Sequence, residues 1–177
     1  MAEYLAKEVM ARTAVVVAPT INYNFYPSFV EYPGATSLRL ETARDLITDV
    51  CRGLAHFGPR KFYVLNTGIS TVRPLATAAE ELGSDKIVMR FTNILNASAD
   101  VEKQIAKQPE GTHADELETS MMLYIAPQSV NMAKAAKDFP RGRGPLQWRN
   151  SDSPRYSPSG VFGDATLATR DKGERIV

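Results

Sequence analysis

KFYVLNTGISTVRPLATAAEELGSDKIVMRF, residues 61–91, reads as strand, loop, helix and strand in succession. Lys61 to Leu65 is a short apolar run without polar alternation, the pattern of a strand covered on both faces. Asn66-Thr67-Gly68 interrupts it, a helical stretch runs from Leu75 to Leu82, and Gly83 marks the end of that helix. Lys86 to Phe91 is a second apolar run. This order is the βαβ signature, so the chain is predicted to be α/β, with a mainly parallel sheet covered by helices.

Working outward, Glu41 to Phe57 carries Leu46, Ile47, Val50 and Leu54 at helical spacing and stops at Gly58-Pro59. Further upstream, Ala14 to Ala18 is a mostly valine run ended by Pro19 and is predicted as a third buried strand. The strands at Val15, Tyr63 and Val88 are therefore expected side by side in one parallel sheet. MAEYLAKEVMART at the N-terminus reads as an amphipathic helix, and residues 19–37 form a loop too long for a routine connection. Open α/β sheets bind ligands beyond the carboxyl ends of their strands, which points to the loops starting at Pro19, Asn66 and Thr92. Downstream, helices are predicted over Ala99–Lys107, Thr112–Ile125 and, shorter, Ser129–Lys137. Residues 139–163 are rich in Pro, Gly, Arg and Ser, yet Trp148, Tyr156, Val161 and Phe162 mark an ordered loop lying over something rather than a linker.

Composition excludes several classes. The 177 residues suit one domain spanning 1–177, and 21 basic against 20 acidic residues leave a net charge of +1, without the footprint of a nucleic-acid binder. Arg141, Arg143 and Arg149 near Trp148 are accordingly read as loop anchors or carboxylate partners. Cys51 is the one cysteine, so no internal disulfide forms, and no Cys/His set has zinc-finger spacing. Neither a secretory segment nor a membrane-spanning run is present, and a cytoplasmic protein with no membrane partner is expected. The G-x-S-x-G, P-loop and H-E-x-x-H templates all fail.

Chemistry concentrates in GTHADELETS, residues 111–120. Thr112 and Asp115 fit a cap, and acids in a first helical turn are favoured by the dipole, which accounts for Asp115 and Glu116. Glu118 is different, because Met121, Met122 and Ile125 share its helical face. A carboxylate there needs a metal, an arginine or a proton network, unless it sits at the stripe edge and reaches water, Arg141 or Arg143. At the helix start, His113 favours a neutral imidazole suited to base or ligand duty, with surface capping as the plainer alternative. His56, at a helix end, reads as structural.

These residues resemble a known family. His113 to Ser120 is similar to the H-A-G-E-x-E-T-S segment of creatininase-family hydrolases, and the similarity continues through Met121, Met122, Leu123 and Pro127. Phe139 to Arg143, Gly160 to Asp164, Leu167-Ala168-Thr169 and Lys172-Gly173-Glu174 resemble later motifs of that family, and Tyr32 to Leu38 resembles its F-P-G-T-x-S-L loop. The resemblance implies a three-layer α/β sandwich with a mainly parallel central sheet. It also implies a homo-oligomeric amidohydrolase that opens a cyclic amide or related C–N bond of a small molecule with zinc or manganese. By resemblance, His113 is the proton-transfer residue, Glu118 lies at the metal and water, and the loop of Ser37 forms part of the substrate pocket. That pocket is expected to be roofed by the loop of Trp148 and floored by residues 32–37 and 66–71. Two departures stand against a complete site. The family's E-x-H-G…D ligand segment precedes the helix matching Leu5 to Arg12, and Gly68 occupies the place of the histidine in N-G-H-G-G-N. The family's C-terminal helix is likewise expected to be missing. An incomplete or degenerate enzyme is therefore expected, with a non-catalytic ligand-binding or assembly protein as the alternative.

Overall fold

The computed structural model describes all 177 residues, which form two compact units. The first comprises residues 1–27 and 36–97, and the second residues 28–35 and 98–177.

The first unit contains α1 (Ala2–Met10), α2 (Leu40–Ala55), β1 (Lys61–Val64), α3 (Val72–Ser84), β2 (Val88–Phe91) and α4 (Ile94–Ala97). β1 and β2 pair in parallel from Lys61–Val88 to Val64–Phe91, with α3 as the crossover, so the βαβ reading holds. Burial on α2 follows Ala43, Ile47, Cys51 and Ala55, one residue every fourth position. Such a row makes a ridge that seats against a neighbouring helix, and Leu75, Ala78 and Leu82 of α3 meet it in the core with Met89 of β2. Of the four apolar residues whose spacing marks this helix, Ile47 is buried, while Leu46, Val50 and Leu54 are each more than a third exposed.

The strand expected at Val15 does not form. Residues 14–23 make no main-chain hydrogen bond, and Val16 is fully exposed. A valine run becomes a strand only when a neighbour takes its N–H and C=O groups, and the sheet consists of β1 and β2 alone.

At the carboxyl end of β1 the loop closes on Asn66. Its Nδ2 donates to Gly68 O (2.8 Å) and Thr92 O (3.1 Å), while its Oδ1 accepts from Thr71 Oγ1 (2.5 Å) and Gly68 N (3.3 Å). Asn66→Ala strands several of these groups, and a loss of about 1–3 kcal/mol is expected in chemical denaturation. An unchanged midpoint would show that water replaces the side chain at no cost.

The second unit contains α5 (Ala99–Ile105), α6 (Glu116–Ile125), β3 (Lys137–Asp138), β4 (Gly163–Asp164) and α7 (Arg170–Ile176). α6 begins four residues later than predicted. Thr112 is not its cap, because Thr112 and His113 instead donate their N–H groups to Phe162 O, and Asp115 caps the helix by accepting from the amides of Leu117 and Glu118 (both 2.9 Å). The helix predicted over Ser129–Lys137 is two separate 3-10 turns, Pro127–Ser129 and Met132–Lys134, running into β3.

α6 and α7 touch closely. A Cβ at Gly173 would fall 1.9 Å from Ser120 O, so only glycine allows this approach. Ser120 Oγ donates to Glu116 O (2.5 Å) and accepts from Thr169 N (3.0 Å), and Lys172 Nζ reaches Glu116 and Leu167 O. Glu116 is therefore more than a first-turn acid. It is wholly buried, and besides Lys172 it accepts from the amides of Lys107 (2.9 Å) and Gln108 (2.7 Å).

The loop at 139–163 is ordered as expected. The Arg155 guanidinium donates to the carbonyls of Pro140 (3.1 Å), Gly144 (3.2 Å) and Gly142 (3.4 Å) and lies over the Phe162 ring. The segment 28–32 joins the same unit. Ser28 O accepts from Leu146 N (2.9 Å), Glu31 accepts from Trp148 N (3.1 Å) and Arg149 N (3.3 Å), and Tyr32 donates to Ser157 O (2.8 Å). No helix of the chain is long and apolar enough to cross a membrane.

Candidate functional site

His113 and Glu118 are brought together by a bend at the start of α6. Positions five apart diverge on a regular helix, but Ala114 stands in the left-handed region at φ 48° and turns the chain just before the cap. Its N–H donates to Glu118 Oε2 (2.6 Å), and His113 Nδ1 lies 3.8 Å from the same oxygen. The backbone of His113 is held from the other side, where its carbonyl accepts from Phe162 N (2.9 Å). Its ring stacks on Phe29 with centroids 3.9 Å apart at 28°.

Glu118 thus has a structural duty, since a third-position acid reaching back toward the cap is a known way of satisfying an orphan N–H. The duty occupies one carboxylate oxygen. No arginine pairs with Glu118, so Arg141 and Arg143 do not supply the partnership the sequence left open. The carboxyl remains about one third open to solvent, yet the surrounding protein raises its pKa to about 7. Burial is the main cause, the Ala114 amide opposes it, and the charges of Asp115 and Glu102 add to it. Burial lowers the pKa of His113, partly countered by Asp115. Near neutrality the pair therefore holds a neutral imidazole beside a carboxyl able to carry a proton.

A cavity of about 390 Å³ opens beside Glu118, walled by Ala114, Met122, Val130, Met132, Val161 and Ala165. Trp148 does not line it; that residue is 41% exposed and is tied through its backbone to Glu31. Ser37 belongs to the first unit, where its hydroxyl accepts from Tyr26 N (2.9 Å) and donates to Leu38 O (2.9 Å). His56 packs edge-on against Phe57, in keeping with a structural histidine.

The creatininase family profile, described as creatinine amidohydrolase, matches residues 1–177. The chain belongs to the creatininase family. It is 25% identical over 194 residues to a creatinine amidohydrolase of Pseudomonas putida, covering 98% of this chain and 74% of that one. It is 26% identical over 204 residues to a 3-dehydro-scyllo-inosose hydrolase of Thermotoga maritima, covering 98% of this chain and 64% of that one. A solved structure described as creatininase with Mn superposes with a TM-score of 0.77 at 25% identity, over 99% of this chain and 76% of that chain. The creatininase-like α/β fold expected from the sequence is thereby established.

A two-metal hydrolase centre needs several ligands around ions about 3.5–4 Å apart. In this creatininase relative no three His, Cys, Asp or Glu side chains converge to hold an ion. Gly68 cannot readily be replaced by a ligand. A Cβ there would lie 2.9 Å from Thr71 Oγ1, a hydroxyl fixed between Asn66 Oδ1 and Gly68 O. His113 and Glu118 by themselves do not fit a zinc or manganese centre.

Sequence reasoning missed two residues that shape this site, Phe29 and Gln108. Phe29 lies more than eighty positions from His113, so no local pattern could pair them. Asp115 stands where the family motif has glycine, and that departure was a visible signal of a built cap. Gln108 supports the cap in turn, donating to Asp115 Oδ2 (2.7 Å) and accepting from the amides of Glu116 (3.2 Å) and Asp164 (2.9 Å).

Proposed function

We propose that this chain is a creatininase-family amidohydrolase acting on the C–N bond of a small cyclic amide or related molecule, with His113 as its proton carrier. The observation that carries the reading is the 3.8 Å approach of His113 to Glu118, made by a left-handed turn that regular helix geometry would not give. In such a hydrolysis, water adds to the carbonyl carbon and the C–N bond then breaks. The neutral imidazole takes a proton from the attacking water and returns it to the departing nitrogen, as a general base that then acts as general acid. Glu118 stabilises the imidazolium formed between the two steps. The zinc or manganese implied by family resemblance finds no ligand set within this chain, so proton transfer is the chemistry assigned to its own residues. The substrate's identity is left to experiment, because relatives of similar identity carry different substrate names.

A second reading has its own support. The closed packing around Gly68 and the lack of a third ligand favour a non-catalytic relative that keeps a pocket for a small ligand or serves in assembly. The two separate in one experiment: purified chain is incubated with creatinine and a panel of five- and six-membered cyclic amides, with zinc, with manganese and without metal. Ring-opened product is expected from at least one compound. Saturable binding with no product under any metal condition would replace the first reading by the second.

A further inference from the structure

We propose that Phe29 is a positioning residue, whose ring holds the imidazole of His113 in the plane from which it exchanges a proton. For catalysis the inference rests on the reading of His113 as proton carrier; for geometry it stands alone. The two rings stack at 3.9 Å and 28°, so rotation of the imidazole about its χ2 bond would drive it into the phenyl face. Stacking covers one face of the imidazole, and 38% of the side chain remains accessible.

Phe29 is itself well placed for this. It ends the single turn Pro27–Phe29, and the residues around it are fastened to distant parts of the second unit. Ser28 is held by Leu146, Glu31 by the amides of Trp148 and Arg149, and Tyr32 by Ser157. Three anchors, each more than a hundred residues away in sequence, fix the strap that carries one aromatic ring to one histidine. An aliphatic residue would fill similar space, but it has no flat face to define a ring plane. Holding a reacting group in one orientation has a large effect on rate, because small misplacements of a reacting group are costly.

The test uses Phe29→Leu and Phe29→Tyr in the full chain, with folding compared by thermal melting. The chain has two histidines, so His56→Gln in the background leaves the proton NMR signals of His113 alone. Upfield ring-current shifts are expected for the His113 ring protons, kept in Phe29→Tyr and largely lost in Phe29→Leu. Turnover of whichever amide the panel identifies should fall about ten- to a hundredfold in kcat for Phe29→Leu, with little change in KM, and recover in Phe29→Tyr. His113 signals that do not move in a folded Phe29→Leu protein overturn the inference. So does a shift that moves while kcat stays unchanged. If the wild type opens no ring in the panel, the functional reading fails, and the NMR comparison still decides whether Phe29 holds the ring.

Discussion

Glu116→Ala is expected to destabilise the protein by about 3–5 kcal/mol, the cost of leaving one member of a buried ion pair without its partner. Glu116 is wholly buried and the Lys172 side chain is only 12% exposed. Removing the carboxylate abandons the lysine cation and two backbone amides, those of Lys107 and Gln108, in a place that water reaches poorly. The loss should also separate α6 from α7, which meet at Gly173 and Ser120. Trp148, the single tryptophan, lies in the second unit, so its fluorescence during urea unfolding reports on the part affected. Burial pushes the Glu116 pKa up, but the hydrogen bonds from Lys172, Gln108 and Lys107 outweigh it and hold the value below the usual range. Its contribution is therefore present above the unfolded carboxyl pKa of about 4.3 and lost as pH falls through the lower folded value. A double variant, Glu116→Leu with Lys172→Met, removes both charges and should lose less than the sum of the two single changes. A loss below about 1 kcal/mol for Glu116→Ala would place the pair among weak surface bridges.

This pair shows where the sequence was readable and where it was not. Local patterns recovered α2, β1, α3 and β2, because each is fixed by its own periodicity and by breakers such as Gly58-Pro59. The same patterns failed at Val15, where apolarity was right for a strand but the partner was not there. They also assigned Glu116 to the helix dipole, since nothing nearby announces a lysine 56 residues on. Family resemblance marked Lys172-Gly173-Glu174 without explaining it; the structure gives Lys172 a buried acid and Gly173 a helix contact. Helical spacing marked α2 without identifying its inner face. Close packing against α3 is served by Ala43, Ile47, Cys51 and Ala55, a row that the spacing of large apolar residues does not mark.

The candidate site was half legible. Glu118 drew notice as an acid in an apolar stripe and His113 as a residue at a helix start, and the two do meet. Their meeting depends on Ala114, and no propensity argument places a left-handed alanine there. Alanine in that conformation costs about 1–2 kcal/mol, and the Glu118 and Asp115 hydrogen bonds around it offset the strain. Trp148 was nominated as an aromatic in an ordered loop. Its loop is ordered, but the aromatic ring that reaches His113 belongs to Phe29, on a strap distant in sequence.

His113→Gln is expected to lower kcat by about 10²–10⁴ at neutral pH, the range for removing a positioned general acid–base group. Glu118→Gln should fall in the lower part of that range, because glutamine can still accept from Ala114 N while losing the charge that stabilises an imidazolium. Asp115→Asn keeps a good capping residue and should change kcat far less. The pH dependence follows from two opposed shifts. His113 must be neutral to accept a proton, and burial lowers its pKa, so activity should persist to a more acidic pH than a solvated histidine permits. Glu118 ionises near pH 7, so the imidazolium is best stabilised above that value and activity should rise through it. Stability should move the other way. A carboxyl whose folded pKa is raised stabilises the fold fully below its unfolded value of about 4.3 and loses that contribution as pH rises through about 7. Glu118→Gln should flatten both trends, removing the rise in activity through about pH 7 and the decline in melting temperature between the unfolded carboxyl value of about 4.3 and the folded value of about 7. Because the two groups sit 3.8 Å apart, the apparent values belong to the pair, and the comparison with Glu118→Gln is what assigns the limb near pH 7. Equal losses from Asp115→Asn and Glu118→Gln would reduce Glu118 to its capping duty and leave His113 without its counter-charge.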